Sequence, residues 1–250
     1  MLWVLDLDGV VWLAGDPIPG SASAVKRLRS AGRQVAFVTN NSTPPLAEHI
    51  ARLARAGVEA QEGEVVTSAQ AAAAALPTGS RAAYIGGPGI AEALEVRNVA
   101  VVRPDETPDA VVVGRTTDLS FDELSEAASA IRSGARFIAT NTDATFPTPQ
   151  GLEPGAGALV AFLEAASGEN AETAGKPGKQ MAELLKARFG EVGVVVGDRP
   201  DTDGLFARRL GARFALVLSG VTAESDLPVD PQPDLIEKDL DRVVRSELGV

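Results

Sequence analysis

The 250-residue chain has no cysteine, a single histidine, a single tyrosine and only 4% aromatic residues. Without cysteine there are no disulfides, no thiolate zinc site and no cysteine nucleophile. The lone His49 leaves little room for histidine acid–base chemistry. A bound metal must therefore sit on oxygen ligands, which suits Mg2+ and not zinc. Positive charge is also short: 23 Lys and Arg stand against 34 Asp and Glu, a formal charge of −11. Nucleic acid is excluded as a primary partner, because holding a phosphate backbone needs a cationic face. The longest uncharged run, 65–80, carries Thr, Ser, Gln and Pro and falls short of a bilayer span, so no membrane partner is expected. No basic segment precedes the first apolar stretch, which predicts a cytoplasmic chain without a secretory leader.

What is present is alternation. Apolar residues make up 45% of the chain, and with so few aromatics the core must be built mainly from Ala, Val and Leu. Short Val- and Leu-rich runs at 2–7, 34–39, 192–196 and 214–218 read as strands. Helix-length amphipathic segments separate them, at 21–31 with Ser21 as N-cap, 44–56, 68–76, 178–189 and 202–210. Continuous apolar strands joined by helices predict an α/β fold: a doubly wound parallel sheet, Rossmann-like, covered on both faces. The middle of the chain repeats the pattern, with strands at 81–85, 110–113 and 136–139 and helices at 89–95, 121–133 and 156–166. The expected organisation is a core from 1–77 and 172–250 with a smaller α/β domain, 78–171, inserted as a cap. The proline-rich stretches at 104–108, 147–154 and 228–233 read as surface loops.

Four short segments carry chemistry. Asp6-Leu7-Asp8-Gly9 closes the first strand, with two carboxylates at i and i+2 on one side. The strand before them is apolar, so unpaired charge there is costly, and Gly9 permits a sharp turn against a ligand. A plain surface turn is the alternative, since Asp and Gly are common in loops. Thr39-Asn40-Asn41-Ser42 ends the second strand; hydroxyls, amides and backbone N–H groups at a strand-to-helix turn suit a phosphate oxyanion. Helix capping by Ser42 or Thr43 explains the same residues and is compatible with that role. Gly175-Lys176-Pro177 offers a lysine outside any Walker A pattern. Gly197-Asp198-Arg199-Pro200-Asp201-Thr202-Asp203 follows another apolar strand, and Asp201 or Thr202 is the expected helix cap there; three acids exceed what a cap requires. The glycines at 86–89 and 155–157 do not complete a dinucleotide fingerprint, and no nucleophile elbow occurs.

In a doubly wound sheet, ligands bind beyond the carboxyl ends of the strands, where these segments fall. Asp6, Asp8, Asp198 and Asp203 gathered there would repel one another unless a cation joined them, and hard oxygen donors point to Mg2+. An anionic substrate then completes the charge balance, with Lys176 and Thr39 on its outer oxygens.

Taken in order, the four segments resemble the motifs of the haloacid dehalogenase superfamily of phosphatases. The domain inserted between the threonine and lysine motifs is similar to that of the subgroup containing NagD, para-nitrophenyl phosphatase and phosphoglycolate phosphatase. The resemblance covers nearly the whole chain, including Ala139-Thr140-Asn141 and Pro154-Gly155-Ala156-Gly157-Ala158. It implies Asp6 as nucleophile and Asp8 as general acid and base. It implies Mg2+ held by the Asp6 and Asp198 carboxylates and the Asp8 carbonyl, with Asp203 orienting metal waters or Lys176. Thr39 and the Asn40–Asn41 turn would hold the phosphoryl group, and Lys176 would offset its charge. The implied activity is hydrolysis of small phosphomonoesters, with the loop 141–143 and the turn 154–157 shaping the leaving-group pocket. Caps of this subgroup often pair in homodimers. Departures occur at Pro44-Pro45, where relatives often carry a polar residue, and at Pro200 and Gly204, where bulkier apolar residues are usual. Having both Asp6 and Asp8 separates phosphatase from dehalogenase chemistry. A phospho-acceptor signalling domain of receiver type is the alternative from another class, but it is much shorter and leaves Asp8 and the insertion unexplained. A binding protein without turnover leaves the intact acids unexplained.

Overall fold

Residues 1–148 and 151–249 are described by the structure, a computed structural model. The apolar runs that end in acids become neighbours in one six-stranded sheet. Its order is Leu235–Glu237, Arg213–Val217, Val192–Gly197, Leu2–Leu5, Gln34–Thr39, Val65–Thr67. The pairings from Leu235–Glu237 through Gln34–Thr39 are all parallel. From Leu2–Leu5 the chain crosses to Gln34–Thr39 on one side and later returns to Val192–Gly197 on the other. The strand order thus reverses between Leu2–Leu5 and Val192–Gly197, the kind of crevice where open α/β sheets bind ligands.

Both central strands are buried, as continuous Val and Leu runs require of a sheet covered on two faces. One face packs Trp3, Leu5, Phe37, Val194 and Val196 against Val25 and Leu28 of the helix Ser21–Ser30 and Val243 and Val244 of the helix Leu240–Leu248. That last strand–helix pair, Leu235–Glu237 and Leu240–Leu248, is missed by periodicity because proline-rich sequence precedes it and the strand has only three residues.

Several boundaries move for local reasons. The first helix starts after Gly20 in the left-handed region, and Ser21 does not cap it; the Ser21 hydroxyl donates to the Val10 carbonyl at 3.0 Å. The second helix runs Leu46–Arg55, beginning beyond both prolines and beyond Ser42 and Thr43. Their hydroxyls meet Thr140 Oγ1 at 2.9 Å and the Arg115 carbonyl at 3.1 Å. Between Val192–Gly197 and the helix Leu205–Leu210 lies a wide turn, Pro200–Gly204, where no side chain caps the backbone. Neither Asp201 nor Thr202 therefore caps; the turn closes through Asp203. Gly204 is explained by crowding, since a Cβ there would meet the Pro231 ring at 2.7 Å and Phe214 at 3.0 Å.

The chain divides into two compact units. The first holds Met1–Thr39, Leu46–Val66 and Ala182–Val250; the second holds Asn40–Pro45 and Thr67–Met181. The second has its own five-stranded parallel sheet, ordered Glu172–Thr173, Arg136–Ala139, Ala110–Val113, Arg81–Ile85, Ala100–Val101. Its core joins Val111, Val113, Phe137 and Ala139 to Leu124, Ala127 and Ile131 of the helix Phe121–Arg132 and to Val160 and Leu163 of Ala156–Ser167. The expected loop at 147–154 contains part of a hairpin instead, Thr145–Thr148 with Gly151–Pro154; residues 149 and 150 lie outside the described residues. Among the described residues no helix is long and apolar enough to cross a membrane.

Candidate active site

Strand register brings the acids of the first unit together. Leu5 is level with Val196 across the central pair, and the Asp6 N–H continues the ladder to the Val196 carbonyl at 2.9 Å. Asp6 therefore lies beside Gly197, one residue before Asp198. Asp203 returns to the same place because the turn folds on itself. Its N–H donates to the Arg199 carbonyl at 2.8 Å, and its Oδ2 accepts the Arg199 N–H at 3.2 Å. One carboxylate oxygen from each of Asp6, Asp198 and Asp203 lies within 4.8 Å of the other two, and all three residues are buried. Like charges this close repel, and burial removes the water that would screen them. Three hard carboxylates with no histidine or thiolate among them suit Mg2+ by donor chemistry.

Glycines set how closely these acids approach. A Cβ on Gly197 would collide with the Asp203 carboxylate, and a Cβ on either Gly9 or Gly220 would collide with that of Asp198. Gly9 also has φ +83°, which a side chain would strain.

Asp198 is held by a loop that motif reading passes over, 218–222. The Val221 N–H donates to Asp198 Oδ2 at 2.6 Å, and the Thr222 hydroxyl donates to the Asp198 carbonyl at 2.6 Å. The Ser219 hydroxyl reaches the Gly9 carbonyl at 2.6 Å, tying this loop to the first one. The signal that could have found it is the one that found Asp6: Ser-Gly-Val-Thr stands directly beyond an apolar strand end. Asp8 lies outside the three-carboxylate cluster. Its Oδ1 accepts the indole N–H of Trp12 at 2.9 Å. Thr39 ends its strand in the same unit and is 2% exposed.

In the second unit, Asn40 and Lys176 form one construction. The Asn40 side chain brackets a main-chain segment: Oδ1 accepts the Lys176 N–H at 2.8 Å and Nδ2 donates to the Lys176 carbonyl at 3.0 Å. The amide thereby positions the lysine backbone, and its Nδ2 also reaches Asp143 Oδ2 at 3.5 Å. The Asn40 carbonyl accepts from Ser68 Oγ at 2.6 Å and Asn141 Nδ2 at 2.7 Å. Asn41 makes a local turn, its Oδ1 accepting the Thr43 N–H at 3.1 Å. Lys176 itself is 3% exposed, far from the solvated lysine its neighbouring proline suggests. A Cβ on Gly175 would collide with the Thr140 carbonyl, so the Gly-Lys-Pro turn is packed directly on the strand end. His49 is buried in its helix.

Comparison with known proteins shows the family. Residues 3–100 match the haloacid dehalogenase-like hydrolase family and residues 173–243 a HAD-hydrolase-like family. A D-glycerol 3-phosphate phosphatase of Mycobacterium tuberculosis is 38% identical over 229 residues, 89% of this chain; the matched region spans 64% of that relative's length. An acid sugar phosphatase of Staphylococcus saprophyticus is 32% identical over 252 residues, 98% of this chain and 96% of the relative. Among solved structures, the p-nitrophenyl phosphatase from Archaeoglobus fulgidus superposes with a TM-score of 0.91 at 30% identity, covering 98% of each chain. The M. tuberculosis glycerol phosphate phosphatase in complex with magnesium superposes with 0.90 at 36%, covering 97% of this chain and 75% of that one. By these matches the chain belongs to the haloacid dehalogenase-like hydrolases and, within them, to the phosphatases resembling NagD and para-nitrophenyl phosphatase.

Proposed function

We propose that the chain is a Mg2+-dependent hydrolase of small phosphomonoesters that works through an aspartyl-phosphate on Asp6. The observation that carries this reading is the buried three-carboxylate cluster at the strand-order reversal, with Asp6 as a member. Bound Mg2+ would supply the positive charge that neutralises phosphoryl oxygens and holds them in line for attack. The Asp6 and Asp198 carboxylates and the Asp8 carbonyl would hold it, with Asp203 beside them.

The chain's own groups then carry the reaction. An Asp6 oxygen bonds to phosphorus while the bond to the leaving oxygen breaks, and Asp8 gives that oxygen its proton. Asp8, now a base, takes a proton from water as the water attacks the same phosphorus. Phosphate leaves and the Asp6 carboxylate is restored. The Thr39 hydroxyl and the turn at Asn40 and Asn41 hold the phosphoryl oxygens, and Lys176 offsets their charge. Residues 78–171 act as an inserted cap on a core of 1–77 and 172–250, and the polar loop 141–143 and turn 154–157 select the leaving group. The relatives' names favour glycerol phosphate and sugar phosphates as substrates. A cytoplasmic enzyme, active with or without pairing into a homodimer, accords with this reading.

The test is multiple-turnover release of phosphate from para-nitrophenyl phosphate and a panel of polyol and sugar phosphates, with Mg2+ and with chelator. Release that needs Mg2+ supports the reading. No release beyond one equivalent, or release indifferent to chelation, refutes it.

A further inference from the structure

Trp12 is 4% exposed and packs in the same apolar cluster as Leu5, Leu7, Val10 and Val11. The segment around it folds back on itself: Val11 N–H reaches the Leu7 carbonyl at 2.8 Å, Trp12 N–H the same carbonyl at 3.2 Å, and Gly9 N–H the Trp12 carbonyl at 2.7 Å. Backbone and ring are both fixed, so the indole N–H is a stiff donor, and it is aimed at Asp8 Oδ1 from 2.9 Å. Burial alone does not demand such a pairing in this core, since the indole nitrogen of Trp3 is buried with no hydrogen-bond partner. A side chain with two torsions, locked by packing, is a suitable arm for a carboxyl group that must point one way.

We infer that Trp12 is a positioning residue for Asp8, fixing the plane of its carboxyl so that it meets the leaving oxygen. The inference rests on reading Asp8 as the group that protonates that oxygen. It has a consequence that a merely structural tryptophan lacks. Nitrophenolate leaves readily without a proton, whereas phenolate departs with much more help from an acid. Because kcat/KM reports the steps up to departure of the first product, loss of aim must fall on the poorer leaving group.

The experiment compares phenyl phosphate with para-nitrophenyl phosphate, two esters of nearly the same shape, in the wild-type chain and in Trp12→Phe. A second variant carries benzothienylalanine at position 12, which keeps the bicyclic shape and lacks the N–H. Both variants should lose about 10- to 100-fold in kcat/KM for phenyl phosphate, and less than about 3-fold for the nitrophenyl ester, in line with the effect of misaimed catalytic groups. Trp3→Phe should leave the ratio of the two esters unaltered. In that Trp3→Phe background Trp12 is the sole indole, and Asp8→Ala should change its emission. Equal losses on both esters, no loss, a changed ratio in Trp3→Phe, or unchanged emission overturns the role of Trp12. A wild-type chain that turns over neither ester removes the acid–base reading, and this inference with it.

Discussion

Gly220→Ala isolates the placement of Asp198 from the chemistry around it. The added methyl would overlap Asp198 Oδ2, with Cγ at 2.5 Å and Cβ at 2.6 Å, whereas ordinary contact begins at 3.4 Å. Clearing it moves the carboxylate carbon by about 0.9 Å and the nearer oxygen, Oδ2, by about 1.4 Å. Asp198 has little room to do so, because the Thr222 hydroxyl holds its carbonyl and the Val221 N–H holds Oδ2, each at 2.6 Å. Gly220 is not in the left-handed backbone region, so the damage comes from the contact and not from torsional strain. Overpacking of this kind costs about 1–3 kcal/mol. For a chain of this size that is about 2–4 °C of Tm per kcal/mol, leaving a folded protein. A ligand displaced by about 1 Å should cost about 100-fold in kcat and raise the Mg2+ concentration for half-maximal rate by about 10-fold. The assay is para-nitrophenyl phosphate turnover against Mg2+ concentration, beside a thermal scan. A stable variant with wild-type kcat and wild-type Mg2+ dependence would refute the argument that Gly220 is required by the approach of Asp198.

Asp6→Asn should abolish turnover while leaving the circular dichroism spectrum and Tm close to wild type; retained activity would eliminate the covalent route. Phe37→Ala, in a fully buried position of the strand Gln34–Thr39, should lower unfolding free energy by about 3–5 kcal/mol in a denaturant titration; a loss under about 1 kcal/mol would contradict the packing described. Asp241 connects the helix Ser21–Ser30 to Leu240–Leu248: burial opposes its charge, but hydrogen bonds from Arg245 and Arg27 outweigh that and hold its carboxyl below the usual range. A carboxyl depressed in the folded state stabilises above its unfolded value of about 4 and ceases to do so as pH falls through the folded one. Asp241→Asn should therefore cost about 1–2 kcal/mol at neutral pH and nothing at low pH; an equal difference at both ends would disprove the ion-pair account.

Much of this arrangement was legible because the chemistry stands where patterns change. Asp6 and Asp198 each follow an uninterrupted apolar run, and such runs become buried parallel strands whose ends must lie together once the strands are neighbours. The gathering of Asp203 was legible only as an excess of acid over what a cap needs; the turn that returns it depends on a backbone bond to Arg199 that no periodicity encodes. Asn40 shows the opposite limit. Its residue type suits a phosphate site and a backbone clamp equally, and only its bonds to Lys176, 136 positions away, settle where its side chain goes. The partner of Asp8 was illegible for the same reason, and the loop 218–222 showed only as a polar segment beyond an apolar strand end. Their hydroxyl, backbone and indole donors look like ordinary loop and core residues until the sheet brings Asp198 and Asp8 to them.

The central claim is that Asp6 and Asp198 share one divalent ion at the carboxyl ends of adjacent strands. Anomalous diffraction from crystals soaked in Mn2+, a Mg2+ surrogate on hard oxygen ligands, tests it most directly. The account predicts a single strong peak about 2.0–2.3 Å from a carboxylate oxygen of each of these residues and from the Asp8 carbonyl. A peak elsewhere, or none at saturating Mn2+, would contradict it.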